Sequence, residues 1–110
     1  MPLPPEGAVH DAMRETVLRK APREAVGLLT NDGRIIELSN LASDPGINFE
    51  ISRAELLEKL TGEELEELTL WHSHPSGGVG PSRTDMQQKI PFVHHLVVTI
   101  VDNDLVYTYY

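Results

Sequence analysis

Cysteine is absent from all 110 residues. A disulfide framework and a thiolate metal site are therefore both excluded, and a reducing compartment suits the chain. Long apolar runs are missing too: no stretch approaches the roughly 18 residues of a membrane span. The start, Met1 to Glu6, has neither a basic flank nor an apolar core, so no secretory signal is expected there. Cations are scarce. Nine Lys and Arg stand against 17 Asp and Glu, for a formal net charge of −8. That balance argues against a nucleic-acid partner, whose backbone needs clustered Lys and Arg. Aromatic residues make up only 5%, and Trp71, Tyr107, Tyr109 and Tyr110 read as sheet packing rather than as a substrate platform. The expectation is one soluble, cytoplasmic domain with a single core.

Periodicity supplies the elements. Ala12, Met13, Val17 and Leu18 form one helical stripe over His10 to Lys20. Acid near its start, basic Arg19-Lys20 at its end and the stop at Ala21-Pro22 agree with that helix. His10 is expected on its exposed side. Ala25 to Thr30 and Arg34 to Leu38 are apolar runs joined by Asn31-Asp32-Gly33, a hairpin pattern. Asn40 to Asn48 reads as a loop and Phe49 to Ile51 as a short strand. Ser52 with Glu55 suggests a capping box before Leu56, Leu57 and Leu60. Thr61-Gly62 interrupts that helix, and the acidic Glu63 to Glu67 segment, read as a solvated face, leads into a strand from Leu68. A helix over Ser82 to Lys89 follows. His95 to Val101 and Leu105 to Tyr110 are then paired strands turned by Asp102-Asn103-Asp104. This order predicts an α/β fold, a mixed β-sheet flanked by helices.

Chemistry is concentrated in Trp71-His72-Ser73-His74-Pro75 and Pro81-Ser82-Arg83-Thr84-Asp85. Residues two apart on a strand share a face, so His72 and His74 can reach one ion. Pro75, Gly77, Gly78 and Gly80 let the chain fold back, and Ser82 opens a helix with Asp85 in its first turn. Two imidazoles and one carboxylate leave a tetrahedral zinc one ligand short, which is the mark of a catalytic site. Each residue has a plainer use as well. The histidines could simply end a strand, and Ser82 with Asp85 fits a capping box. His94-His95 alternates across a strand and is expected to be structural. The loop Ser76 to Gly80 borders the metal and could admit a substrate chain.

This window, with Glu24 ahead of the Gly27-Leu28-Leu29 strand, resembles the JAMM/MPN+ metallopeptidase family. The pattern is a glutamate, then His-Ser-His-Pro, ten residues and an aspartate with a serine three before it. The resemblance implies a cytidine-deaminase-like fold and one zinc per chain, held by His72, His74, Asp85 and a water. It implies Glu24 as general acid–base and Ser82 as a partner of the oxyanion. Its activity would be cleavage of a peptide or isopeptide bond after the tail of a ubiquitin-like or sulfur-carrier-like protein. The Asn40 to Ile51 stretch is similar to a loop of phage tail-assembly relatives, so a tail-associated peptidase is one subtype. Non-catalytic MPN-type scaffolds usually lack these ligands. RadC-like DNA-associated proteins share a His-x-His-Pro-Ser-Gly motif but fit poorly with the acidic charge. Cytidine deaminases need cysteines that are not here.

Overall fold

A computed structural model describes residues 5–44, 49–60, 68–75, 78–90 and 93–110. The elements run in the order α1 (Gly7–Lys20), β1 (Val26–Leu29), β2 (Ile35–Leu38), α2 (Arg53–Lys59), β3 (Thr69–His74), α3 (Arg83–Gln87), β4 (His94–Val101) and β5 (Asp104–Tyr109). The strands form one sheet, ordered β2-β1-β3-β4-β5. Only β3 and β4 pair in parallel, the crossover between them carrying α3, and the other pairs are antiparallel. The expected mixed α/β sheet is what forms. The Glu63 to Glu67 segment lies outside the described residues. Among those described, no helix is long and apolar enough to cross a membrane.

The two hairpins follow from their turn residues. Gly33 takes φ +86° after a turn closed by Gly33 N–H to Thr30 C=O at 3.1 Å. That left-handed position fits the three-residue hairpin loop. Asp102 and Asn103 both have positive φ, 53° and 64°, where β4 turns into β5 with Val101 facing Asp104. Short polar side chains tolerate that conformation, and two such residues match the right-handed twist of the strands.

Successive residues of the central strands face opposite sides of the sheet and are buried on both, so two cores form. On one face Met13 and Val17 of α1 pack on Ala25, Leu29, Trp71, Leu96 and Val98. On the other, Val26, Leu28, Leu38 and Leu70 meet Leu56 and Leu60 from the region of α2. Gly27 allows the strands to close over Trp71. A Cβ built there would lie 2.3 Å from Ile36 O and 2.9 Å from the indole ring, so any side chain would force the sheet apart.

Three local expectations need correction. Phe49 to Ile51 is not a strand: among the described residues it is tied back by one backbone–backbone bond, Leu41 N–H to Glu50 C=O at 2.8 Å, and by Glu50 N–H to Asn40 Oδ1, and it joins no ladder. Ser52 caps α2 by accepting from Glu55 N–H, but Glu55 does not complete a capping box. Its carboxylate takes bonds from Ser39 N–H and Ser39 Oγ instead, clamping α2 to the end of β2. His10 is only partly exposed, because Tyr107 Oη and Asp104 Oδ1 lie 2.8 and 3.1 Å from its ring nitrogens.

Candidate metal and catalytic centre

His72 and His74 sit on the second-core face of β3, in step with Leu70, as strand parity requires. Their rings are 5.0 Å apart. Asp85 reaches them from the first turn of α3, with Oδ2 3.1 Å from both Nε2 atoms. The α3 start fixes that reach. Ser82 Oγ accepts from Asp85 N–H at 3.1 Å, and Asp85 Oδ2 accepts from Ser82 N–H at 2.8 Å. The expected capping box is therefore present, and Asp85 also faces both imidazoles. The helix itself is shorter than Ser82 to Lys89, ending at Gln87.

Glu24 stands just before β1 and is 5% exposed. Ligand-capable atoms of Glu24, His72 and His74 all lie within 4.8 Å of one another. All four acidic and imidazole groups singled out in the sequence thus converge. Ser82 joins them through Asp85. Because its hydroxyl accepts the cap bond, its own proton is left to donate. Of the loop from Ser76 to Gly80, the described part is Gly78-Val79-Gly80, with Gly80 at φ +92°.

The electrostatics sort these groups. Burial, and then the charge of Asp85, pushes the Glu24 carboxyl up to about 7. Burial works on Asp85 in the same sense, but the His72 imidazole beside it and the bonds from Ser82 outweigh it and hold Asp85 well below the usual carboxylate range. Burial lowers His72, against the opposing pull of Asp85. At neutral pH this leaves a neutral imidazole facing an anionic carboxylate. Among the described residues, His72 Nε2 is buried with no hydrogen bond, although Asp85 is near. An orphaned imidazole nitrogen in a cysteine-free set of two His and a carboxylate fits a divalent metal such as zinc.

A test of the Glu24 environment needs no metal. A carboxylate raised from 4.5 to about 7 on folding destabilises the fold once it must ionise. That penalty is absent below about pH 4.5, grows through the interval and is complete above about pH 7. Metal-free Glu24→Gln should therefore be more stable than the parent at pH 8, by up to about 3 kcal/mol at about 1.4 kcal/mol per unit. The gain should vanish at pH 4, as read by denaturant melts. An equal difference at both pH values would contradict the assignment.

Three neighbours escaped sequence reasoning. The Phe49 ring stacks on His72, with centroids 4.4 Å apart. Tyr110 Oη lies 3.5 Å from His72 Nδ1, and its ring also packs on His95. Tyr110 is displaced by one residue from Tyr109, which packs on the α1 face, so strand alternation was the available signal. Asn40 donates to Glu24 C=O at 2.9 Å. His95 holds Ile90, with Nε2 3.0 Å from both the Ile90 nitrogen and oxygen, which agrees with a structural role.

Comparison with known proteins follows the same lines. Residues 6–108 match the sequence profile of Prok-JAB, prokaryotic homologs of the JAB domain. A Thermus thermophilus protein named as a probable TtuB-protein conjugate cleaving protease is 34% identical over 98 residues, covering 81% of this chain and 66% of that relative. The match thus spans just under two thirds of the relative's length. A solution structure from Desulfitobacterium hafniense superposes with a TM-score of 0.71 at 24% identity, covering 90% of this chain and 76% of the other. One from Salinibacter ruber gives 0.53 at 18% identity, covering 94% and 78%. Both likenesses concern the fold. The chain belongs to the prokaryotic JAB-domain branch of the JAMM/MPN family.

Proposed function

We propose that this chain is a zinc-dependent peptidase or isopeptidase that releases a protein joined to the C-terminal tail of a ubiquitin-like protein. The observation that carries the reading is the convergence of Asp85 Oδ2 on both His72 and His74 at 3.1 Å, with Glu24 beside them. The name of the Thermus thermophilus relative supports a protein conjugate as substrate. A purely structural scaffold would have no need of this acidic and imidazole set.

His72, His74 and Asp85 would hold the ion, and the depressed Asp85 carboxyl suits a permanent anionic ligand. When bound there, zinc would supply a Lewis acid that polarises the scissile carbonyl and lowers the pKa of a water to about 7. Glu24 keeps its carboxyl near 7 and so suits proton transfer better than permanent ligation. It takes a proton from the attacking water and later delivers it to the leaving amine. Ser82 Oγ, kept beside the site by its cap bond, donates to the oxyanion.

Activity is tested by offering the purified chain linear and isopeptide-linked fusions of ubiquitin-fold proteins and weighing the products. A free C-terminal carboxylate on the tail and a free amine are expected. Intact fusions after incubation with the zinc-loaded protein would remove the substrate class from the proposal.

The two jobs of Ser82 separate by substitution. Ser82→Ala should cost about 1 kcal/mol of stability through the lost cap. Ser82→Asn keeps a capping oxygen but lacks the hydroxyl, and should lower kcat by about 10²-fold with normal folding and zinc content. A Ser82→Asn enzyme as fast as the parent would confine Ser82 to capping.

A further inference from the structure

The peptide plane between Glu24 and Ala25 is held at both ends by side chains from distant parts of the chain. Its carbonyl accepts from Asn40 Nδ2 at 2.9 Å. Its N–H donates to Ser73 Oγ at 2.7 Å. Ser73 is fully buried and stands between His72 and His74, and its own N–H donates to Ala25 C=O at 2.9 Å. Asn40 spends its oxygen on the following loop, where Oδ1 accepts from Ala42 N–H at 3.0 Å and Glu50 N–H at 3.1 Å. Two N–H groups on one side and a carbonyl on the other allow only one orientation of the amide. Glu50 adjoins Phe49, the residue stacked on His72.

Glu24 lies outside the sheet ladder, which starts at Val26 in both of its pairings. The ladder therefore does not set its backbone dihedrals. The Asn40 and Ser73 bonds hold the peptide that follows Glu24, and the Ser73 bond ties that peptide to the strand that carries both histidines. We propose that Asn40 and Ser73 are positioning residues that fix the Glu24–Ala25 peptide and so aim the Glu24 carboxylate at the His72–His74 pair. This rests on the proton-transfer role of Glu24 given above.

Asn40→Asp retains an oxygen for the Ala42 and Glu50 amides but replaces the donor to Glu24 C=O with an acceptor. Ser73→Ala deletes the partner of Ala25 N–H. In both variants zinc affinity, measured by chelator competition, should match the parent. On a linear fusion of a ubiquitin-fold protein to a reporter, KM should hold while kcat falls by about 10²-fold, the loss typical of a small misplacement. In metal-free protein, NMR three-bond couplings should show one Glu24 χ1 rotamer in the parent and rotamer averaging in the variants. Parent-like kcat in Asn40→Asp, or an unchanged single Glu24 rotamer, would overturn the proposal. If the parent cleaves no fusion, the proposed function falls and the Glu24 couplings alone decide this inference. Should Ser73→Ala fail to fold, Asn40→Asp carries the test by itself.

Discussion

Glu24→Gln is expected to bind zinc as the parent does and to lose turnover by about 10²- to 10⁴-fold, the range typical of general acid–base help. The substitution is close to isosteric and keeps the Asn40 bond, which goes to the Glu24 backbone. Only the capacity to ionise is removed. With the carboxyl set near 7 by burial and by Asp85, the parent can both accept and return a proton near neutrality, and an amide can do neither. The same variant should be the more stable one in metal-free form at pH 8. Loss of activity with gain of stability is what a buried catalytic carboxylate produces. A Glu24→Gln protein that hydrolyses at the parent rate would end this role, and one that loses zinc would make Glu24 a ligand instead.

Asp85→Ala should abolish zinc retention. It removes the only anionic member of the proposed ligand set, and Asp85 Oδ2 is the atom that both Nε2 atoms face. It also removes half of the capping box, so a folding defect must be separated from a ligand defect. Asp85→Asn does this. It leaves a carbonyl oxygen for Ser82 N–H, and should preserve helix and fold by circular dichroism while losing zinc in a chelator competition that the parent withstands. Breaking the fold in Asp85→Asn as in Asp85→Ala would show that Asp85 is chiefly a cap. Full zinc occupancy in a folded Asp85→Asn would show that the two histidines suffice.

What was legible in the sequence was whatever depends on neighbours close along the chain. The face shared by His72 and His74 follows from strand parity. The Ser82–Asp85 box spans three residues, and the turns at Gly33 and at Asp102-Asn103 follow from which residues accept positive φ. Glu24 was legible only through the family pattern, since a lone glutamate before a strand has no periodicity to mark it. The rest was hidden because long-range contacts decide it. Asn40 meets Glu24 across 16 positions and Ser73 meets Ala25 across 48, through side chain to backbone bonds that leave no spacing rule. Phe49 to Ile51 reads as a short strand in the sequence, yet the loop delivers Phe49 to the His72 ring. Glu55 looked like half of a capping box, but Ser39 offered two donors against the one at the helix start.

The central claim is that Glu24, His72, His74 and Asp85 form one metal-dependent hydrolytic centre. Its most direct measurement is turnover of a ubiquitin-fold fusion by protein stripped of metal and titrated back with zinc. The account predicts no cleavage by the stripped protein and a rate that rises in proportion to added zinc, levelling off at one equivalent per chain. Cleavage without metal, or no cleavage by folded protein that has taken up its zinc, would contradict it.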